Sequence, residues 1–163
     1  MNFKKASLSV LFVATASLCA NAYAADFEEM TLSLAHSAAT SHAHNQAALA
    51  FAKEVGEATG GKVKVNVYPA SELGDQPSLI DQCVNGGDVD IVIASQSNMA
   101  QYVPKLNALS APFLFKDYAQ AHKTIDDYIL PWMQEDVKEN MNLVPLSVFD
   151  YGFRHVTTKD IVV

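Results

Sequence analysis

The sequence predicts an α/β fold in which a layered sheet is flanked by helices. Strand and helix patterns alternate from Met30 to Ser95 in the order strand, helix, strand, helix, strand, which is typical of crossover connections between parallel strands. Each helical pattern stops at a glycine pair, Gly60-Gly61 or Gly86-Gly87. Both glycine pairs precede a strand and not a helix, so they do not predict a phosphate-binding loop, and no cofactor is expected.

The first strand, helix and second strand follow from local patterns. Residues 30–35 alternate between apolar and polar side chains and predict a strand. After a polar loop, apolar residues recur every four positions and predict a helix from about Ser41 or His42. Residues 62–69 place three valines on one face and polar residues on the other, which predicts a half-buried strand.

The second helix and third strand complete this alternation. Asp75 is a candidate N-cap, and Pro77 stands in the first turn, where its missing N–H costs nothing. Cys83 lies on the apolar side of this helix and is expected to be a small buried hydrophobic residue. Residues 89–94 are nearly all apolar, which predicts a parallel strand covered on both faces.

The last third of the chain is less regular. Residues 107–115 predict a short extended segment broken by a proline, and 117–125 predict a helix. A further helix is expected over 128–141, with Pro131 tolerated only in its first turn. Residues 142–150 predict a strand, although Pro145 favours an edge position or an irregular start.

Residues 1–24 have the features of a secretory signal peptide. Lys4 and Lys5 precede an apolar run, and the segment ends in Ala22-Tyr23-Ala24, the small-x-small pattern at which signal peptidase cuts. Residues 25–163 are then one domain of ordinary size. The apolar run is too short for a membrane span and nothing later is longer, so no membrane insertion is expected.

The charge of residues 25–163 excludes two classes of partner. This segment has 9 basic and 18 acidic residues, a net charge of −9 with neutral histidines. Nucleic acids and anionic membrane surfaces are bound through basic patches, so neither is an expected partner. An acidic protein that binds an anion needs a local site, since its overall field repels the ligand.

Three histidines leave an alternative open. His36, His42 and His44 could bind zinc in an exported metal-dependent hydrolase or metal-binding protein, although their spacing is a weak metal signature. No Gly-x-Ser-x-Gly elbow is present, so a serine hydrolase is not indicated. A self-sufficient interaction domain is a third possibility. The preferred hypothesis is a binding protein and not an enzyme, with no metal.

Arg154 is the only arginine of the chain. It follows Phe153 in an aromatic turn after the last predicted strand, and ligand sites of open α/β sheets usually lie where strands end. The planar guanidinium matches a carboxylate through two parallel hydrogen bonds. Arg154 and Phe153 are therefore candidate ligand-binding residues.

The chain resembles the periplasmic solute-binding proteins of TRAP transporters, of the dicarboxylate-binding DctP type. The most specific stretches are YPASELGD, PFLFKDYAQAH and GFRH, which occur in the order and spacing of that family. The resemblance implies a periplasmic protein with two α/β lobes that close over a small organic acid. It also implies delivery of this ligand to membrane permease subunits, driven by an ion gradient.

The resemblance also implies ligand contacts. Arg154 matches a pocket arginine of the family, and His36 and Ser37 lie in a loop that contacts ligand. Ser95 and Asn98 match a second such loop. Some binders of acidic sugars carry a carboxylate in place of Ser95 and an arginine in place of Asn98, so that substrate is less expected here.

One departure concerns length. Family members are longer, and a second arginine that usually clamps the ligand carboxylate lies beyond the last residue of this sequence. The expectation is that residues 25–163 form the first lobe, that the second lobe is missing, and that the chain is an N-terminal portion.

Overall fold

The computed structural model describes residues 27–153, 155 and 159. Its centre is a three-stranded parallel sheet of order β2-β1-β3. The strands are β1, Met30–His36; β2, Val63–Tyr68; and β3, Ile91–Ile93. Both neighbours of β1 run parallel to it, which confirms the predicted α/β fold.

Helices connect and cover the strands. They are α1, Ala43–Ala58; α2, Gln76–Asn85; α3, Gln96–Met99; a 3₁₀ helix, Pro104–Ser110; α4, Tyr118–Thr124; a π-helical turn, Ile125–Ile129; and α5, Leu130–Met141. Within the described part of the chain, none of these helices has the length and apolar character needed to cross a membrane.

Local capping sets the ends of α1 and α2, as predicted. The Asp75 carboxylate accepts a hydrogen bond from the backbone N–H of Ser78 at 3.0 Å, and α2 ends at Gly86, whose φ of 73° is a left-handed conformation that suits glycine. At the other helix, Nδ1 of His42 accepts from the backbone N–H of His44. The sequence signals for these three termini are therefore confirmed.

Two groups of buried side chains meet at α2. On one side, Leu79 packs with Ala35 of β1 and Val89. On the other side, Ile80 packs into a larger core with the 3₁₀ helix and α5. Both leucine and isoleucine are fully buried. The helix therefore joins the sheet to the helical layer.

The helical core is built from one face of the last helices. Its buried members, besides Ile80, are Ala100, Val103, Leu106, Ile129, Met133, Val137 and Met141. Pro131 stands in the first turn of α5, as predicted, directly after the π-helical turn. The π-helical turn therefore lies just before Pro131, which has no N–H to donate to the preceding turn of the helix.

The third strand is shorter and more exposed than predicted. Only three residues pair with β1, from Leu34 opposite Ile91 to His36 opposite Ile93, and all three are half-buried. Burial on both faces occurs instead in β1, where Leu34 and Ala35 point to opposite faces and are both buried. β3 lies at the edge of the sheet, whereas β1 is central.

Two further predictions are wrong in part. The segment 107–115 is not extended at its start, because the 3₁₀ helix continues to Ser110 and buries Leu106. The segment 142–150 joins no strand, and the carbonyl of Pro145 instead accepts a hydrogen bond from the Gln134 side chain at 3.1 Å. Proline has no N–H to offer a ladder, which disfavours pairing at this point.

Cys83 lies on α2 as predicted and is half-buried against the sheet core. Its thiol donates a hydrogen bond to the carbonyl of Asp90 at 3.3 Å. Burial, followed by the nearby Asp90 carboxylate, raises the pKa of the Cys83 thiol. A thiol with a raised pKa is a weak nucleophile, which agrees with the packing role expected for this residue.

A candidate ligand-binding site at the carboxyl edge of the sheet

The parallel pairing of β1 and β3 places two predicted loops side by side. Ser37 follows the last residue of β1, and Ser95 follows β3 after a single residue. Because His36 is opposite Ile93 in the register, both strands end at the same edge. This edge is where open α/β sheets usually bind ligands.

The side chain of Gln76 joins the two loops. Its Nε2 donates a hydrogen bond to Oγ of Ser37, and its Oε1 accepts from the backbone N–H of Ser95, each at 2.9 Å. The same Oε1 accepts from Nδ2 of Asn98 at 2.9 Å. Three predicted site residues therefore share one amide, and we call Ser37, Gln76, Ser95 and Asn98 the polar group.

Sequence reasoning missed Gln76, although a signal was present. The residue directly follows the predicted N-cap Asp75, so it occupies the first position of α2. A helix that follows a parallel strand begins at the carboxyl edge of the sheet, where the predicted site lies. The cap and Pro77 fix the start of the helix, and this start places the Gln76 amide between the loops.

His36, predicted to lie in the loop after the first strand, is instead the last residue of β1, beneath this edge. Its ring is buried, and Nε2 lies 3.3 Å from Oδ1 of Asn45. Because Asn45 donates through Nδ2 to the carbonyl of Thr40, its Oδ1 is the acceptor, which places the imidazole proton on Nε2. Nδ1 of His36 is then a buried acceptor without a hydrogen-bond partner among the described residues.

Phe153 lies on another part of the predicted site. Its ring meets Tyr118 of α4 edge to face, with 4.8 Å between the ring centres. Among the residues described, no hydrogen bond or ring contact joins Phe153 to the polar group. Arg154, the predicted carboxylate ligand, lies outside the described residues.

The segment 149–153, which we call the aromatic segment, lies between α1 and α4. Tyr151 stacks on His42 with 5.6 Å between ring centres, and Phe149 lies at the same distance from His44. On the other side, Nε2 of His122 is 2.5 Å from the Asp150 carboxylate. An open cavity of about 370 Å³ lies between the start of α1 and this segment.

Two ionisable groups of this region are perturbed. The hydrogen bond from His122 to Asp150, then that from the backbone N–H of Gly152, lowers the pKa of the Asp150 carboxyl. Partial burial, followed by the neighbouring charges of His42 and His36, lowers the pKa of His44. The aromatic segment is therefore held by an ionised aspartate and faces a histidine that favours its neutral form.

The alternative metal site is not formed. His36, His42 and His44 all lie within the described part of the chain, where no group of three histidine, cysteine or acidic side chains is placed to hold a metal ion. The rings of His42 and His44 meet edge to face at 4.5 Å, and His36 is directed to Asn45. The three imidazoles therefore do not converge on one point.

The fold and this edge define a class of protein. A parallel α/β layer with uncharged polar side chains gathered where its strands end is typical of a lobe that binds a small polar molecule. Comparison with known proteins agrees with this class. The family model of the bacterial extracellular solute-binding proteins, family 7, called DctP, matches residues 34–162. The chain belongs to this family.

Relatives in this family include proteins with named ligands. The chain is 36% identical over 104 residues to the 2,3-diketo-L-gulonate-binding periplasmic protein YiaO of Escherichia coli, covering 62% of this chain and 30% of that protein. It is 29% identical over 131 residues to the C4-dicarboxylate-binding protein DctB of Bacillus subtilis, covering 80% and 37%.

A solved structure gives the same assignment. A TRAP periplasmic solute-binding protein from Sulfitobacter with bound β-D-galacturonate superposes with a TM-score of 0.64 and 30% sequence identity. The match covers 68% of this chain and 37% of that protein. The chain likewise spans only 23% and 44% of the length of two other curated relatives.

Proposed function

We propose that this chain is part of the extracytoplasmic solute-binding subunit of a TRAP transporter, which captures a small organic acid and delivers it to membrane permease subunits. The observation that carries this proposal is the polar group of Gln76, Ser37, Ser95 and Asn98 at the carboxyl edge of a family 7 lobe. Such a group suits reversible binding, since it holds no nucleophile paired with a base.

The ligands of the relatives support a carboxylate. The 2,3-diketo-L-gulonate, C4-dicarboxylate and β-D-galacturonate named for them all carry a carboxylate group. In our proposal Arg154 binds this group through paired, charge-assisted hydrogen bonds, and Phe153 packs against the ligand. Ser37, Ser95 and Asn98 contact the rest of the ligand, while His36 supports the loop from below.

The domain organisation belongs to the same proposal. Residues 1–24 direct export and are removed, and residues 25–163 form the first lobe of a two-lobed binding protein in the periplasm. Large apolar side chains on the aromatic segment support a facing lobe, since Phe149, Tyr151 and Phe153 are 41–66% exposed. N-terminal sequencing of the exported protein should begin at Ala25.

The test is the effect of Arg154 on carboxylate binding. Protein purified from the periplasm of its own cells is titrated calorimetrically with a panel of dicarboxylates and sugar acids. We expect Arg154→Ala to weaken binding of the best acid about 10- to 100-fold, the loss that follows from one charge-assisted pair. Lys159→Ala removes an exposed cation and should leave affinity within about twofold.

Two results would contradict the proposal. One is a wild-type protein that binds no acid of the panel. The other is an Arg154→Ala protein that binds the best acid as tightly as the wild type does.

A further inference from the structure

We propose that the aromatic segment is part of a pH-sensitive switch, in which it is held by both α1 and α4 near neutral pH and by α4 alone in acid. The histidines that operate the switch are His42 and His44 at the start of α1 and His122 of α4. The switch does not depend on which ligand the protein binds.

The contacts between α1 and the aromatic segment are made by rings. His42 stacks on Tyr151 with 5.6 Å between ring centres. The ring of His44 lies 5.5 Å from that of Tyr151 and 5.6 Å from that of Phe149. Both imidazoles are half-buried. A change in the charge of either imidazole therefore acts directly on the packing of the segment.

Protonation of His42 would remove the cap of α1. Its Nδ1 accepts a hydrogen bond from the backbone N–H of His44 at 3.2 Å, and a protonated imidazole has no acceptor nitrogen. The first turn of α1 contains no acidic side chain, so no carboxylate of this turn offsets the new charge. A positive charge is also disfavoured at the positive end of the helix dipole. Acid therefore weakens the start of α1 at the place where it holds the segment.

The charged imidazoles of α1 would also repel each other. The ring centres of His42 and His44 are 4.5 Å apart. Partial burial, followed by the nearby His42 and by His36 of β1, lowers the pKa of His44. Attraction between an imidazolium and an aromatic ring opposes release, but it is weak where the rings are as exposed as Phe149 and Tyr151. The lost cap, the like charges and the helix dipole act together against it.

On α4 the effect of acid has the opposite sign. Nε2 of His122 lies 2.5 Å from Oδ2 of Asp150, and Oδ1 accepts from the backbone N–H of Gly152 at 2.7 Å. These two hydrogen bonds lower the pKa of Asp150, so its carboxyl stays ionised in mild acid. Protonation of His122 then makes its hydrogen bond to Asp150 charge-assisted and stronger. Tyr118, which also faces His122, meets Phe153 through an uncharged ring contact.

The groups that face α1 from the segment do not cancel this difference. The Asp150 carboxylate lines the same cavity as His42 and His44, but its two oxygens are engaged by His122 and a backbone N–H. Tyr151 faces the same imidazoles, and a phenol carries no charge at neutral or acidic pH. Release from α1 would widen the cavity of about 370 Å³ between α1 and the segment. The pH would thereby set how open this side of the molecule is.

NMR spectroscopy of the full-length protein tests the switch at the rings themselves. With histidine, tyrosine and phenylalanine rings isotopically labelled, nuclear Overhauser effects are recorded at pH 7.5 and pH 5.0. Those from His44 to Phe149 and Tyr151 should weaken about threefold or more in acid, because most imidazoles are charged at pH 5.0. The effect joining Tyr118 to Phe153 should stay within about twofold. Unchanged effects from His44, or an equal loss of all three, would overturn the switch.

A double variant removes the titrating rings of α1. His42→Asn keeps a capping acceptor that does not titrate, and His44→Phe keeps an aromatic ring against the segment. With both changes, the ring contacts between position 44 and the segment should persist at pH 5.0. His155→Gln alters an exposed histidine and should leave the acid response of the wild type unchanged. Release of the segment from the double variant in acid would show that these histidines do not operate the switch.

A second variant tests the hold of α4. Asp150→Asn removes the charge that His122 meets, so the nuclear Overhauser effect between Tyr118 and Phe153 should also weaken about threefold at pH 5.0. Asp126→Asn changes an exposed aspartate of the π-helical turn and should not have this effect. An Asp150→Asn protein that keeps the full ring contact in acid would overturn the role of α4.

Discussion

At the residue scale, the aromatic segment depends on groups that titrate. His44 lies between Phe149 and Tyr151, and partial burial lowers the pKa of His44. The folded protein therefore favours the neutral imidazole. Its contribution to stability is complete above the ordinary pKa of about 6.5 and is lost as the pH falls below that value. The hydrogen bond from His122 lowers the pKa of Asp150, so the Asp150 carboxyl stays ionised over the same pH range.

The first prediction follows from His44. Thermal unfolding at pH 7.5 and pH 5.5 should show a loss of stability on acidification, and His44→Gln should make that loss smaller. His155→Gln alters an exposed histidine and serves as the control. If the two variants lose the same stability between these pH values, His44 does not contribute to the acid sensitivity.

At the element scale, features set by the local sequence could be predicted, whereas features set by contacts with distant residues could not. The ends of α1 and α2 could be predicted because caps, glycines and apolar spacing lie within a few residues of each helix end. The length of β3 and the unpaired segment 142–150 could not, because pairing depends on distant partners. The 3₁₀ helix was missed for the same reason, since Leu106 is buried in the helical core together with residues of α5.

The candidate site shows the same contrast between features set by the local sequence and features set by distant contacts. The resemblance to the DctP family implies Ser37 and Ser95 as ligand contacts, and the parallel register places the loops that contain them at one edge of the sheet. Gln76 lies 39 residues from Ser37 and 22 from Asn98 along the chain, so no local pattern joins them. Its polar side chain at the first position of α2 was visible, but its hydrogen bonds depend on how α2 packs.

The second prediction concerns the start of α2. Asp75→Ala removes the cap of the Ser78 N–H and should lower the free energy of unfolding by about 1 kcal/mol. It should also weaken ligand binding, since the first turn of α2 positions Gln76. Asp88→Ala changes an exposed aspartate between α2 and β3 and is the matched control. Urea unfolding and calorimetric titration measure the two effects, and equal behaviour of both variants would contradict this role of the cap.

At the scale of the whole molecule, α2 makes the sheet and the helical layer interdependent. Leu79 belongs to the sheet core and its neighbour Ile80 to the helical core, and both are fully buried. Loss of either core would expose one side of the same helix. We therefore expect the two layers to unfold together.

The third prediction tests this coupling. Trp132 is the only tryptophan and packs against the helical core, so its fluorescence reports on that layer. Its unfolding midpoint in urea should coincide with that of far-UV circular dichroism. Val137→Ala should shift both midpoints together and cost about 1–3 kcal/mol, whereas Val144→Ala, at an exposed position, should have little effect. Separate midpoints would show that the layers unfold independently.

The short pairing of β3 has a consequence for the order of folding. β2 joins β1 along six residue pairs, from Met30 opposite Val63 to Ala35 opposite Tyr68, whereas β3 joins it along three. Closing the longer loop to β3 costs more chain entropy than closing the loop to β2, and fewer strand contacts offset that cost. The edge that carries the polar group should therefore form after the β1–β2 pair, and a ligand would stabilise this late step without being needed for the early one.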